Sequence, residues 1–359
     1  GSTGAVTELG QSDLRPLVPR LVRHVFLGFG SARRHHDGGD GTCVQRPRKP
    51  ASSRGYLFAG RRRGRPSTEE EPQAVNASAL STRRLLAEEL ARPDSEMNLG
   101  RAALLVAKEE YPPLPVDIYL ARLDQVAEEV KDRLANESAP LVVLNELVDT
   151  LFLRRNLAGN RTAYYDPRNS FLNDVLDRGL GVPLSLGIVL LETGWRLGLP
   201  LEGVNFPGHF LVRYHGDELA LLIDPFDGGK IRFEDQAQEL LDQVYGGVVR
   251  LQDSFLRTAS KREMILRMLT NLKGLYSKAG DHVRGLAAVE RILMINPTAP
   301  FESRTRGVLL ARLGRHEEAA AQLEAYLRVS PAATDAPRVE AMLRELRAGR
   351  QPADDGVGL

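Results

Sequence analysis

The stretch from Tyr164 to Phe233, YYDPRNSFLNDVLDRGLGVPLSLGIVLLETGWRLGLPLEGVNFPGHFLVRYHGDELALLIDPFDGGKIRF, switches from helical to alternating periodicity near its middle, and that switch decides the fold. Asp166 before Pro167 reads as an N-cap followed by a first-turn proline, opening a helix that runs to about Arg178 and stops at Gly179. Gly181, Val182 and Pro183 open a second helix whose apolar residues lie nearly all round, so it is expected to be buried, with Trp195 in the core. It stops near Gly198 and Pro200. Beyond Pro200 the period falls to two.

The strand-like runs GHFLVRY and ELALLIDP are joined by a turn for which Gly216 and Asp217 are suited. If those two residues form the turn, facing residues have numbers that sum to 433, which sets His209 directly opposite Asp224. Cross-strand neighbours have Cβ atoms about 4.5–5.5 Å apart, so imidazole and carboxylate would meet.

Working outward toward the N-terminus, apolar residues recur every three to four positions: Leu85, Leu86 and Leu90, then Ala103, Leu104 and Ala107, then Leu123, Val126, Val130 and Leu134. Residues 81–155 therefore read as three or four amphipathic helices, broken at Pro112, Pro113 and Pro115. Residues 1–75 differ, with 13 Lys and Arg against 7 Asp and Glu and little periodicity. They read as a disordered leader. Its clustered arginines leave open a basic arm that touches phosphate, the single route by which nucleic acid enters as a partner.

Toward the C-terminus the chain repeats itself. A shift of 34 residues lays Leu275 on Leu309, Gly280 on Gly314, Val289 on Leu323 and Pro297 on Pro331, the period of a tetratricopeptide repeat. Two units are too few to stand alone, so the pair is expected to lean on the middle domain and on a final helix near residues 339–346. The expected organisation is a leader at 1–75, a middle domain at 81–245, helical repeats at 260–348 and a disordered tail at 349–359.

Composition narrows the function classes. The chain has 359 residues, 42% hydrophobic and 26% charged, with a formal net charge of +1, a profile that excludes a collagen, a wholly disordered chain or a membrane bundle. Its one cysteine, Cys43, leaves no internal disulfide and no thiolate cluster, which fits a cytoplasmic protein. No membrane insertion is expected. His35, His36 and Asp37 in the leader make a poor metal site, no nucleotide-binding motif occurs, and neither metal nor cofactor is expected.

With these strings in view, DPRNSFLNDVLDR, GVPLSL, LGLPLEGVNFPGHFLVRY and IDPFDGG, the region from about 98 to 346 resembles the SirB-type branch of the transglutaminase-like superfamily, followed by tetratricopeptide units. The resemblance implies an α+β fold: a papain-like core with a central helix packed on an antiparallel sheet, an N-terminal helical subdomain and a C-terminal repeat pair. In active relatives a cysteine begins the central helix, a histidine follows on a strand and an aspartate on the next. Position by position, His209 and Asp224 take the last two places. The cysteine's place falls within Pro183, Leu184 and Ser185, where only Ser185 carries a nucleophilic atom.

Two readings follow. Without its thiol the domain is expected to be non-catalytic, binding a protein or peptide through the cleft and the repeats. Alternatively, Ser185, His209 and Asp224 form a triad for acyl-transfer hydrolysis. A serine hydroxyl stays protonated at neutral pH and needs a base aligned on it, whereas a cysteine in that place would ionise. Ser185 is equally suited to bonding the backbone of its own first turn. Asp166, Arg168 and Asn169 are candidates for lining the cleft, with capping and ion pairing as the competing explanation. Asn205 and Arg213 are polar residues near the hairpin with no assigned role.

Overall fold

The computed structural model describes residues 70–216 and 220–352. The leader before residue 70, with Cys43, His35, His36 and Asp37, lies outside the described residues, as do Asp217 of the hairpin turn and the last seven positions of the tail. Among the described residues, chain order begins with four helices: α1 (Glu70–Leu90), α2 (Leu99–Glu110), α3 (Val116–Leu134) and α4 (Pro140–Val148), the last continuing as a π-helical turn over Asp149–Arg154. Helix α1 starts at Glu70, inside the segment expected to be leader.

The middle of the chain supplies the α+β core. Strand β1 (Ala158–Gly159) pairs in parallel with β2 (Leu180–Gly181), on either side of a 3₁₀ turn (Pro167–Asn169) and α5 (Leu172–Arg178). The expected single helix from Asp166 to Arg178 is thus two pieces. Asp166 caps only the 3₁₀ turn, and the chain re-aims at Phe171, which is buried edge-on against Tyr111 with ring centroids 5.6 Å apart. Helix α6 (Pro183–Arg196) follows, then β3 (Leu201–Val204), β4 (Leu211–His215), β5 (Ala220–Asp224), β6 (Lys230–Phe233), α7 (Ala237–Tyr245) and β7 (Thr258–Ala259). The five strands β3 to β7 form one antiparallel sheet in the order β6-β5-β4-β3-β7.

Alternation along the strands divides the side chains between two cores. Val212, Tyr214, Leu221 and Ile223 join the large cluster built on α6, while Leu211 and Leu222 join the smaller one under α7. Helix α6 is buried from Pro183 to Gly194, as its apolar residues nearly all round require, with Ser185, Glu192 and Thr193 buried among them. Its close seat on the sheet depends on two glycines. A Cβ at Gly187 would stand 2.5 Å from the Phe210 ring, and one at Gly194 would strike Leu201. Trp195 is partly buried against the same core and donates from its indole to the Leu201 carbonyl at 2.8 Å.

The C-terminal region is five helices: α8 (Lys261–Ala279), α9 (His282–Ile295), α10 (Pro300–Arg312), α11 (His316–Val329) and α12 (Ala336–Arg347). Ser260 and Glu263 open α8 with a reciprocal capping box. Gly280 and Gly314, 34 residues apart, both take left-handed backbone where the first helix of each pair ends. The repeats do lean on the middle domain. Met264, Ile265, Met268, Leu269 and Leu272 of α8 belong to the same cluster as α6, and Arg291 of α9 donates to the Val106 carbonyl of α2 at 3.0 Å. Helix α12 closes the other end, burying Val339 and Leu346 against the second repeat.

Gly187→Ala is expected to destabilise the fold by about 1–3 kcal/mol because Phe210 has no room to yield, although alanine is the better helix former by about 1 kcal/mol. Denaturant melts of Gly187→Ala, Phe210→Leu and the double variant check this: the double variant should be less destabilised than the sum of the two.

Candidate functional site

The site lies where the start of α6, the loop before β4 and the end of β5 converge. His209 precedes β4, in a turn where its N–H donates to the Phe206 carbonyl at 3.0 Å. Its Nε2 lies 2.8 Å from Asp224 Oδ1. The pairing that brings them together differs from the sequence expectation: facing residues such as Val212 and Ile223, or Arg213 and Leu222, have numbers that sum to 435, so Asp224 does not stand directly opposite His209. The connection spans 216–219 and is longer than a two-residue turn. A slip of two residues preserves the direction of every side chain, and the imidazole reaches the carboxylate diagonally.

Asp224 is held in place by more than the histidine. Its Oδ1 also accepts from the backbone N–H groups of Phe226 and Asp227, at 3.0 and 3.1 Å. Burial alone would raise its pKa, but the His209 bond and charge with these two N–H groups outweigh that and hold it below the ordinary carboxylate range. An ionised Asp224 accepts the Nε2 proton, which leaves Nδ1 of a neutral ring as a lone-pair acceptor.

The nucleophile position does not complete the set. Ser185 is buried in the first turn of α6, where its Oγ lies 2.6 Å from the Asn169 carbonyl and accepts the Val182 N–H at 3.1 Å. It makes no hydrogen bond to His209. The contact that the triad alternative requires of Ser185 is absent and a backbone tie stands in its place, because the hydroxyl has one proton and a short, buried carbonyl acceptor takes it. The Val182 N–H also reaches the Asn169 carbonyl, at 3.2 Å.

The other candidates also bond within the protein. Asn169 is fully buried; its side chain accepts from Asn160 at 3.0 Å and donates to the Ala163 and Tyr164 carbonyls at 2.7 and 3.2 Å. Asp166 caps the 3₁₀ turn and pairs with Arg168 at 2.7 Å; the Arg168 hydrogen bond is the main cause of its lowered pKa. Arg213 binds Glu202 at 2.6 Å, Thr258 at 2.8 Å and the Leu256 carbonyl at 3.0 Å, which ties β3, β4 and β7 together. Asn205 accepts from Arg267 at 3.2 Å. Of the eight residues, His209 and Asp224 are brought together, Ser185, Asp166, Arg168, Asn169 and Arg213 are engaged in structural bonds, and Asn205 is bonded to Arg267.

Sequence reasoning missed the aromatic wall. Phe226 packs edge-on against His209, with centroids 6.2 Å apart, and against Tyr164 at 5.8 Å, while the Arg161 guanidinium lies 4.9 Å from its ring centroid. Beside it Tyr165 is half-exposed under Lys278 of α8, 4.4 Å from the ring, where cleft and repeats adjoin. The signal was the bulky residue inside IDPFDGG. Among the described residues no group of three or more His, Cys, Asp and Glu side chains is placed to hold a metal ion, and no helix is long and apolar enough to cross a membrane.

A helix buried on an antiparallel sheet, a histidine–aspartate pair at its front and helical hairpins behind it define a transglutaminase-like domain followed by tetratricopeptide repeats. Residues 117–270 match the Transglutaminase-like superfamily and residues 272–344 the tetratricopeptide repeat. The chain is 35% identical over 256 residues to a UPF0162 protein of Xylella fastidiosa, covering 70% of this chain and 91% of that protein. It is 31% identical over 251 residues to a UPF0162 protein of Pseudomonas aeruginosa, covering 69% and 90%. The chain belongs to the UPF0162 family. A shorter likeness, 32% over 146 residues, links 38% of this chain to 22% of the mouse protein F-box only protein 21. No solved structure matches the chain.

Asp224→Asn is expected to cost about 1.5–3 kcal/mol at neutral pH, the worth of charge-assisted hydrogen bonds. Because the folded pKa of Asp224 is depressed, its contribution is fully present above the unfolded value of about 3.9 and fades as pH falls through the folded value. The gap between wild type and Asp224→Asn in denaturant melts should therefore narrow below about pH 4. Ser185→Ala should cost about 1–2 kcal/mol through the lost tie to Asn169.

Proposed function

We propose that this chain is a SirB-type, cytoplasmic binding protein: a transglutaminase-like cleft without a working nucleophile, joined to a repeat pair, that engages a protein or peptide partner. The observation that carries this reading is the commitment of the Ser185 hydroxyl to the Asn169 carbonyl at 2.6 Å, so that among the described residues no hydroxyl or thiol is bonded to the His209–Asp224 pair. The repeats supply the second half of the argument. Stacked helical hairpins present extended surface to protein ligands, and α8 belongs to both the repeat stack and the core beneath the cleft. A peptide crossing from the aromatic wall of Phe226 and Tyr164 would meet Tyr165 and Lys278 next.

The acyl-transfer alternative, with Ser185, His209 and Asp224 as its triad, requires the hydroxyl to leave two buried partners and find a base that is not bonded to it. Such a loss costs about 1–3 kcal/mol before any chemistry begins. A fluorophosphonate probe applied to the full chain is expected to leave Ser185 unlabelled; labelling there that disappears in His209→Ala would establish the hydrolase instead. The binding reading predicts that photo-crosslinkers replacing Tyr165 beside the cleft and Phe301 on α10, both exposed, capture one and the same partner in cells. A crosslinker at exposed Ile118 on α3 should not. Absence of any species common to the Tyr165 and Phe301 positions would overturn the binding reading.

A further inference from the structure

Several buried or partly buried arginines among the described residues face carboxylates, and Arg267 beside the cleft does not. Arg291 faces Glu109 at 3.7 Å, Arg232 faces Asp227 at 3.6 Å, and Arg213 binds Glu202. Arg267, on α8, makes no ion pair with any described residue. Its Nη1 donates to Asn205 Oδ1 at 3.2 Å and to the Phe206 carbonyl at 3.4 Å, and the guanidinium lies 5.9 Å from the Phe210 ring centroid. Neither Nε nor Nη2 is bonded to a described residue, and neither is among the buried atoms sealed without a partner. Burial lowers its pKa to about 10, with the charges of Tyr164 and Tyr245 acting the other way, so it remains a cation at neutral pH.

Its surroundings belong to the cleft. The Phe206 carbonyl that it holds also accepts the His209 N–H, so Arg267 and the imidazole are fixed by the same atom. Tyr164, within electrostatic reach of Arg267, packs on Phe226, which packs on His209. Tyr245 is in the same reach; its hydroxyl bonds no described residue and is likewise not sealed. A partly buried guanidinium with no counter-charge among the described residues is costly to keep and is ordinarily paired. Its free edge presents Nε and Nη2 side by side, the fork that matches a carboxylate.

We propose that Arg267 is the anchor for a carboxylate of the ligand that enters this cleft, pairing through Nε and Nη2 with the Tyr245 hydroxyl as a third donor. The proposal rests on reading the cleft as a binding site. One full positive charge and one neutral hydroxyl match a monoanion. A phosphate dianion would call for a second cation, and the Arg161 guanidinium on Phe226 is already paired with Asp227 at 3.0 Å.

The test is an NMR titration of the full chain, following the Arg267 Nε–H signal, assigned by its absence from Arg267→Lys. The probes are N-acetyl-triglycine, the α-amide of N-acetylglutamate, N-acetyl-triglycine amide and inorganic phosphate. A saturable millimolar shift with the first probe supports a chain-terminal carboxylate, and one with the second an acidic side chain; the amide should give none. Arg267→Met should weaken carboxylate binding by about tenfold or more, a loss of about 1.4 kcal/mol, read on neighbouring signals. If that variant fails to fold, Arg267→Lys, which keeps the charge but loses the fork, should still weaken it several-fold. No saturable shift with either carboxylate, an equal shift with the amide, or tighter binding of phosphate would overturn the assignment. Because these probes need no protein partner, a null result here leaves the crosslinking outcome standing, and failed crosslinking leaves a positive titration standing.

Discussion

The carbonyl of Asn169 holds the front of the central helix. It accepts both the Ser185 hydroxyl and the Val182 N–H, while the Asn169 side chain gathers Asn160, Ala163 and Tyr164. One buried residue therefore fixes the loop that forms the cleft wall, the N-terminus of α6 and the rotamer of the only hydroxyl at the nucleophile position. Each bond is worth about 1 kcal/mol on its own, yet leaving any of these buried groups unpaired would cost more. The bond that holds the Ser185 hydroxyl on the Asn169 carbonyl, with none to His209, is thus part of what lets α6 start where it does.

The second constraint is the shared core. Two tetratricopeptide units cannot bury enough surface alone, and here α8 is absorbed into the hydrophobic cluster of the transglutaminase-like domain. Ion pairs across the junction, such as Arg83 with Glu109 and Glu290, add specificity to a contact whose driving force is apolar. The repeats and the cleft then form one continuous body, and a residue of α8 such as Arg267 reaches the histidine loop.

The physics of each feature decided how much of this was legible in the sequence. Helix α6 was readable because apolar residues lying nearly all round, bounded by Pro183 and Gly198, admit little else. The repeat was readable because Gly280 and Gly314 mark equivalent helix ends. The meeting of His209 with Asp224 was readable from strand alternation, but the register was not, since it depends on a turn whose length composition does not fix. The break at Phe171 and the tie of Ser185 to Asn169 escaped because both turn on tertiary partners, the Tyr111 ring and a main-chain carbonyl. Any residue can offer a carbonyl, so no side-chain pattern announces it. Arg267 was hidden for a related reason: its position next to Met268 in the buried stripe of α8 was visible, but the absence of a carboxylate opposite it is a property of the folded state.

Retention of His209 with Asp224 does not by itself argue for catalysis, because the pair has structural work independent of chemistry. Asp224 ends β5 and caps the turn that follows, accepting two backbone N–H groups that would otherwise be orphaned as the chain reverses toward β6. His209 offers that buried carboxylate a third donor and places its ring against Phe226. A carboxylate so desolvated needs its donors, and removing the histidine would leave a charge short of one partner. The same geometry that would align a catalytic imidazole also closes a sheet corner, and the two roles diverge only at the third position, where the hydroxyl of Ser185 turns to the backbone.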